Sequence, residues 1–148
     1  MAIHKRIAFG HAGVFPAGAF LAGPVEPVGD FNAPARPDGS RPQQVDKDTG
    51  LPLWQVQVID PDPEAGKKDK AVTVKIAAAH QPVPPVNETP FPFTPVEFVG
   101  LTALPWIEDT GNGRARISWS LKADGLAKPG TTATAGRRSG EDGKAGPA

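Results

Sequence analysis

The chain has 148 residues, enough for one ordinary domain with a modest hydrophobic core. It contains no cysteine, which excludes disulfide bonds, thiol nucleophiles and thiolate metal sites. Sixteen basic residues balance sixteen acidic ones, so the chain lacks the basic surplus by which dedicated nucleic-acid-binding proteins attract phosphates.

The N-terminal residues predict neither a signal peptide nor a membrane anchor. Residues 1–13 carry two basic side chains but no apolar core of signal-peptide length. No uninterrupted apolar run approaches the roughly 20 residues that span a bilayer. We therefore expect a cytoplasmic protein with no membrane association. Its predicted organisation is a flexible N-terminus at 1–13 followed by a folded domain at 14–126.

The first three strand candidates lie in the first half of this domain. Residues 14–28 are interrupted by prolines and glycines, which predicts an edge strand or a bent strand. Apolar and polar residues alternate in 54–58 and again in 72–76, and a polar connection joins the two segments. This pattern predicts an antiparallel hairpin.

The second half contains a proline-rich segment and two further strand candidates. Residues 80–95 hold six prolines, which predicts an extended crossing rather than a strand or a helix. Residues 96–107 alternate with a change of phase near Gly100, as expected for a strand bent by a bulge. A turn at 109–113 leads into 114–122, the most regular alternation in the chain.

Together these elements predict an all-β protein, a small five-stranded OB-like (oligonucleotide-binding) barrel with a Pro-rich crossing. That fold often places a helix between its third and fourth strands, where this chain has the crossing instead. An SH3-like barrel or a small sandwich stays open as an alternative. Residues 127–148 have few apolar side chains and predict a disordered C-terminal tail.

The residues that commonly carry catalysis or bind metals are not arranged for either role. The three histidines lack the spacing to carboxylates that a metal site needs. The acidic turn from Asp46 to Gly50 departs from a calcium loop, whose twelfth position is Glu where this chain has Gln57. No serine or threonine lies in a nucleophile motif. We predict that the protein is not an enzyme and that it uses no metal or cofactor.

The polar side of the last strand is the candidate binding surface. Arg114, Arg116 and Lys122 alternate with apolar residues, and Lys75 is expected to lie beside them on the sheet. Small barrels bind single strands by combining cationic groups with aromatic side chains on which bases stack. Trp106, which follows a proline near a turn, is the tryptophan best placed for exposure.

The other two tryptophans are expected to be buried. Trp54 and Trp119 lie in the apolar phase of their strands, which predicts burial in the core. The predicted nucleic-acid-binding residues are therefore Lys75, Trp106, Arg114, Arg116 and Lys122.

Four segments carry a family resemblance: VFPAGAFLAGPVEPVGDF, QQVDKDTGLPLWQVQVIDPDPEA, AVTVKIAA and PFTPVEFVGLTALPWI. They lie within residues 14–107 and resemble the plasmid replication, integration and excision activator family of actinobacterial integrative elements and plasmids. The resemblance implies a cytoplasmic accessory factor that promotes replication, integration and excision of a mobile genetic element. It implies no particular catalytic or DNA-contacting residues.

A looser similarity concerns the mechanism. The acidic turn, the hairpin and the V-x-V strand are similar to those of small single-strand-binding and helicase-assisting proteins of phages and conjugative elements. By this analogy the expected ligand is single-stranded DNA, and the expected partners are a replication initiator, recombinase or helicase of the same element. Two alternatives stay open. One is a regulator that acts through protein partners or duplex DNA, and the other is a structural interaction module without direct DNA binding.

Overall fold

The computed structural model describes residues 6–67 and 70–130, and in these ranges the chain is mostly β, as predicted. The elements in chain order are β1 Ile7–Ala8, α1 Gly10–Val14, β2 Ala19–Leu21, β3 Glu26–Pro27, β4 Leu53–Ile59, β5 Ala71–Ala77, β6 Thr94–Val99, β7 Thr102–Gly111, β8 Arg114–Ala123 and β9 Gly125–Ala127.

Both predicted flexible ends are described only in part. The N-terminal segment, residues 1–13, is described from Arg6 onward, and this part contains β1 and most of α1. The predicted tail, residues 127–148, lies outside the described residues beyond Gly130.

The strands form a single nine-stranded sheet. Its hydrogen-bonded order is β1-β7-β8-β5-β4-β2-β6-β9, with β3 paired to β4. β5 and β8 are parallel neighbours, and the other pairs are antiparallel. The predicted hairpin is confirmed, because β4 and β5 pair along their whole length from Leu53 opposite Ala77 to Ile59 opposite Ala71.

The last hairpin bends in the middle, close to where the sequence predicts a bulge. Gly100 and Leu101 separate β6 from β7, and Asp124 separates β8 from β9. Gly100 has a φ of 64°, a left-handed conformation that strongly favours glycine. A Cβ atom at this position would also meet the Asp124 carboxylate. The bend sends the two halves of the hairpin to different neighbours, with β8 beside β5 and β6 beside β2.

The hydrophobic core lies along the inward sides of the central strands. Phe15, Phe98, Ile76 and Leu101 are among its largest fully buried side chains. Phe15 and Phe98 lie with ring centroids 6.0 Å apart. Helix α1, none of whose residues is fully buried, packs on β6 next to this pair, and the sequence pattern did not predict it.

His11 ties α1 to β6. Its Nδ1 accepts a hydrogen bond of 3.1 Å from the backbone N–H of Phe98. Burial lowers the pKa of His11 below its ordinary value, although the nearby Glu97 charge acts in the opposite direction. The neutral imidazole is therefore the form that fits this contact.

Candidate functional site

The β7–β8 ladder extends beyond the core as a two-stranded arm, residues 104–111 and 114–120. β8 pairs with β5 only from Leu121 to Ala123, opposite Val74 to Ile76. The β7–β8 ladder continues from there to Gly111 opposite Arg114. The arm therefore leaves β5 at the start of the Val74–Leu121 pairing, and a cleft opens between the two.

Two grooves occupy this cleft and meet at Trp119. The outer groove has a volume of about 300 Å³, and its lining includes Thr73, Lys75, Trp106 and Trp119. The inner groove has a volume of about 570 Å³, and its lining includes Phe9, Val14, Asp60, Ile117 and Trp119. Val72 and Leu121 line both grooves, as Trp119 does.

The two tryptophans of the arm are half-exposed. Trp106 is 45% exposed, in agreement with the prediction that it would be accessible. Trp119 is 48% exposed, so its predicted burial in the core is wrong. It lies in the apolar phase of β8, but the strand has already left the core at this residue. The ring of Phe9 meets that of Trp119 edge to face at 5.7 Å.

Trp54, the third tryptophan, belongs to the body of the protein. It packs against the core as predicted, and its Nε1 donates a hydrogen bond of 3.0 Å to the carbonyl oxygen of Ala78. Trp54 is therefore a natural reference for measurements on the two groove tryptophans.

Lys75 and Lys122 lie opposite each other in the β5–β8 ladder, as the sequence analysis expected. Their surroundings differ. Lys75 lines the outer groove. Lys122 Nζ lies 2.9 Å from Asp46 Oδ1 and 3.0 Å from Asp48 Oδ2, and its side chain is only 13% exposed. Lys122 is thus neutralised by the acidic turn, and its observed contacts are structural.

The Asp46 carboxyl group responds to this ion pair. Burial raises its pKa, but hydrogen bonds from Lys122 and Thr49 and the charge of Lys122 outweigh the effect of burial. The resulting pKa lies below the ordinary value, so Asp46 is ionised at neutral pH and holds Lys122 in place.

The two predicted arginines are separated from the outer groove. Arg116 Nε donates a hydrogen bond of 2.7 Å to Glu108 Oε2, the same oxygen that accepts the Ser118 hydroxyl. Arg116 lines the inner groove. Arg114 begins β8 at the tip of the arm and is exposed. Of the five predicted residues, Lys75 and Trp106 therefore come together in the outer groove.

Sequence reasoning did not single out most of the residues that line the grooves, among them Phe9, Asp60, Thr73 and Trp119. Thr73 and Trp119 lie on predicted strands, and their contribution depends on where the arm separates from β5. Phe9 and Asp60 lie in segments without periodicity, so no local pattern marks them.

Comparison with family models, with curated proteins and with solved structures gives no match. Among residues 6–67 and 70–130, no three histidine, cysteine or acidic side chains are grouped to hold a metal ion. No helix in the same ranges is both long and apolar enough to cross a bilayer. The two grooves are therefore the candidate functional site.

Proposed function

We propose that the protein is an accessory factor of a mobile genetic element and promotes its replication, integration and excision by binding single-stranded DNA along the outer groove. The observation that carries this proposal is the half-exposed Trp106 beside Lys75 in one groove, which the half-exposed Trp119 lines from the opposite face of β8. Stacking of bases on aromatic side chains next to a cationic group is the usual way to bind single strands. The mobile-element role follows from the family resemblance.

The strand pairing supports a five-stranded barrel of the oligonucleotide-binding type. We take β2, β4, β5, the bent β6–β7 and the bent β8–β9 as strands one to five. The observed neighbours are then one–two, two–three, three–five, five–four and four–one. With the strands grouped in this way, we infer that the sheet closes into a barrel.

The position of the outer groove fits that architecture. Oligonucleotide-binding barrels bind their ligands on strands two and three and with the loops between strands one and two and strands four and five. In this chain the outer groove lies on β5, the third strand, beside the arm that the outer parts of strands four and five form with the turn between them. The surface on which such a barrel would bind its ligand is therefore the surface that contains the outer groove.

Single strands fit this surface better than a duplex. The described residues contain no helix of the length that reads a major groove, since α1 has five residues. Lys122 and Arg116 are engaged with carboxylates, so stacking is expected to contribute more than phosphate neutralisation. We therefore expect moderate affinity with a shallow salt dependence.

Fluorescence anisotropy with a labelled thymidine oligonucleotide and with a labelled duplex tests the proposal. The single strand should bind more tightly at low salt. Because stacking on one aromatic side chain contributes about 1–3 kcal/mol, Trp106→Ala and Trp119→Ala should each weaken binding by about 5- to 150-fold. Ile107→Ala is a matched control, since Ile107 is an exposed apolar residue of the arm outside the groove lining. If neither the single strand nor the duplex binds, the proposal is overturned.

A protein-interaction module is the second candidate. Ile107 is 75% exposed and Ile117 is 68% exposed, and they lie opposite each other on the arm. β1 pairs with β7 only at Thr102 and Ala103, so among the described residues the remaining edge of β7 carries no strand. An exposed apolar edge of this kind fits an extended strand of a protein partner.

An excision assay in cells that carry the element separates the two candidates. Under the single-strand-binding proposal, Trp106→Ala reduces excision and Ile107→Lys leaves it unchanged. The reverse result would favour the protein partner.

A further inference from the structure

We propose that the inner groove receives one unstacked base of the bound strand and selects guanine over thymine through Asp60. This inference rests on the proposed single-strand binding and adds base selectivity to it. The two grooves meet at Trp119, so a base next to one that is stacked in the outer groove lies close to the inner one.

The inner groove has the size and lining of a base-binding site. Its volume of about 570 Å³ falls within the range of small-ligand sites, about 300–1,000 Å³. Phe9, Val14, Ile117 and Trp119 supply apolar and aromatic surface. The edge-to-face contact of Phe9 and Trp119, with ring planes 84° apart, forms an aromatic corner against which a planar base can pack. Extruded bases are generally held between aromatic and apolar side chains in this way.

Asp60 is the lining side chain suited to read the edge of that base. Its backbone N–H donates a hydrogen bond of 2.7 Å to the carbonyl oxygen of Lys70, and its Oδ1 accepts one of 3.0 Å from the N–H of Asp62. The bond from Asp62 holds Oδ1 in the turn. No hydrogen bond from the described residues reaches its second oxygen, Oδ2. The other charged or hydroxyl groups of the lining, on Arg116 and Ser118, both donate to Glu108.

The chemistry of a carboxylate decides which base it prefers. An ionised carboxylate only accepts hydrogen bonds. The Watson–Crick edge of guanine presents two adjacent donors, N1–H and the N2 amino group. The edge of thymine presents one donor, N3–H, between two carbonyl oxygens that repel the carboxylate. Cytosine and adenine each present one amino donor beside a ring nitrogen that accepts. The expected order of preference is therefore guanine first and thymine last.

The test compares a thymidine oligonucleotide with the same oligonucleotide carrying one central guanine. Hydrogen bonds to a charged group predict that the guanine raises affinity by about 10- to 100-fold. Replacing the guanine by inosine, which lacks the N2 amino group, should remove part of this gain with the unaltered protein. Asp60→Asn should abolish the preference, because its amide nitrogen donates where the carboxylate accepts; the asparagine oxygen can still accept the Asp62 N–H, which keeps the turn.

Asp62→Asn is the matched control. Asp62 lies on the same connection and makes the same type of turn, with its Oδ1 accepting a 3.0 Å hydrogen bond from the N–H of Glu64. It does not line the inner groove, so this variant should keep the guanine preference. If thymidine oligonucleotides bind and guanine brings no gain, or if both variants lose the gain equally, the inference is overturned and single-strand binding stands. If neither oligonucleotide binds, both proposals are overturned.

Discussion

Replacing Lys122 by methionine tests whether this lysine is structural, as its contacts indicate, or is available to a nucleic acid. Methionine retains the apolar stem of the side chain and removes its charge. The Asp46 side chain is 8% exposed and would then be left buried without its cation. Asp48 is 71% exposed and contributes little.

The burial of the Lys122–Asp46 ion pair determines how much folding free energy this variant is expected to lose. Removing one partner of a buried ion pair costs about 3–5 kcal/mol, and the residual exposure of Lys122 places this case near 3 kcal/mol. With a urea m-value of about 1–3 kcal/mol per molar, the midpoint of unfolding should fall by about 1–3 M. Tryptophan fluorescence reports the transition.

Two controls test whether the loss of stability comes from the unpaired Asp46 carboxylate. In an Asp46→Asn background the buried charge is absent, so Lys122→Met should cost much less there. Because the pKa of Asp46 is lowered in the folded protein, the ionised carboxylate stabilises the fold at pH values above the ordinary Asp pKa of 3.8. This contribution is lost as the pH falls through the folded-state pKa. The difference between the unaltered protein and Lys122→Met should therefore shrink in acid. A loss below about 1 kcal/mol, or the same loss in the Asp46→Asn background, would refute the structural assignment.

Three further predictions concern the bend, the helix and the groove. Gly100→Ala should lower the free energy of unfolding by at least about 1–2 kcal/mol because of its left-handed φ, whereas Gly125→Ala has open space and should cost less; equal urea midpoints would contradict this. Burial holds the pKa of His11 below 6.5, so an NMR titration should find it there, and stability should be full above that pH and fall as the pH drops through the folded-state pKa. A measured pKa at or above 6.5 would be incompatible with the observed environment. Lys75→Ala should flatten the plot of log affinity against log salt by about 0.7, whereas Arg114→Ala, outside the lining of both grooves, should leave the slope unchanged; an unchanged slope for Lys75→Ala would remove Lys75 from the phosphate-contacting set.

Much of the fold is predictable because half-buried strands alternate. The pattern at 54–58 and 72–76 predicts the β4–β5 hairpin, and the observed register confirms it. Glycine near position 100 and the turn at 109–113 predict the bend and the tip of the last hairpin, since both need backbone conformations that glycine adopts readily. These features depend on neighbours in the chain, which a sequence reveals directly.

The environments of Trp119, Lys122 and helix α1 depend on contacts between distant segments. Alternation assigns Trp119 to the apolar side of β8 correctly, but it does not tell where that strand leaves β5 and the core. Alternation likewise assigns Lys122 to the polar side, whereas its contact with Asp46 joins residues 76 positions apart. Helix α1 is too short for a periodic signal, and it packs through His11 on Phe98. In each case the decisive contact is between segments far apart in the sequence.

The quenching of tryptophan fluorescence by a thymidine oligonucleotide tests the central claim most directly. In a Trp54→Phe variant only the groove tryptophans emit, and in a Trp106→Phe, Trp119→Phe variant only Trp54 emits. Bases that stack in the outer groove should quench the first protein along a saturable curve and leave the second unchanged. Quenching confined to the second protein, or saturable binding without quenching of the first, would contradict single-strand binding in this groove.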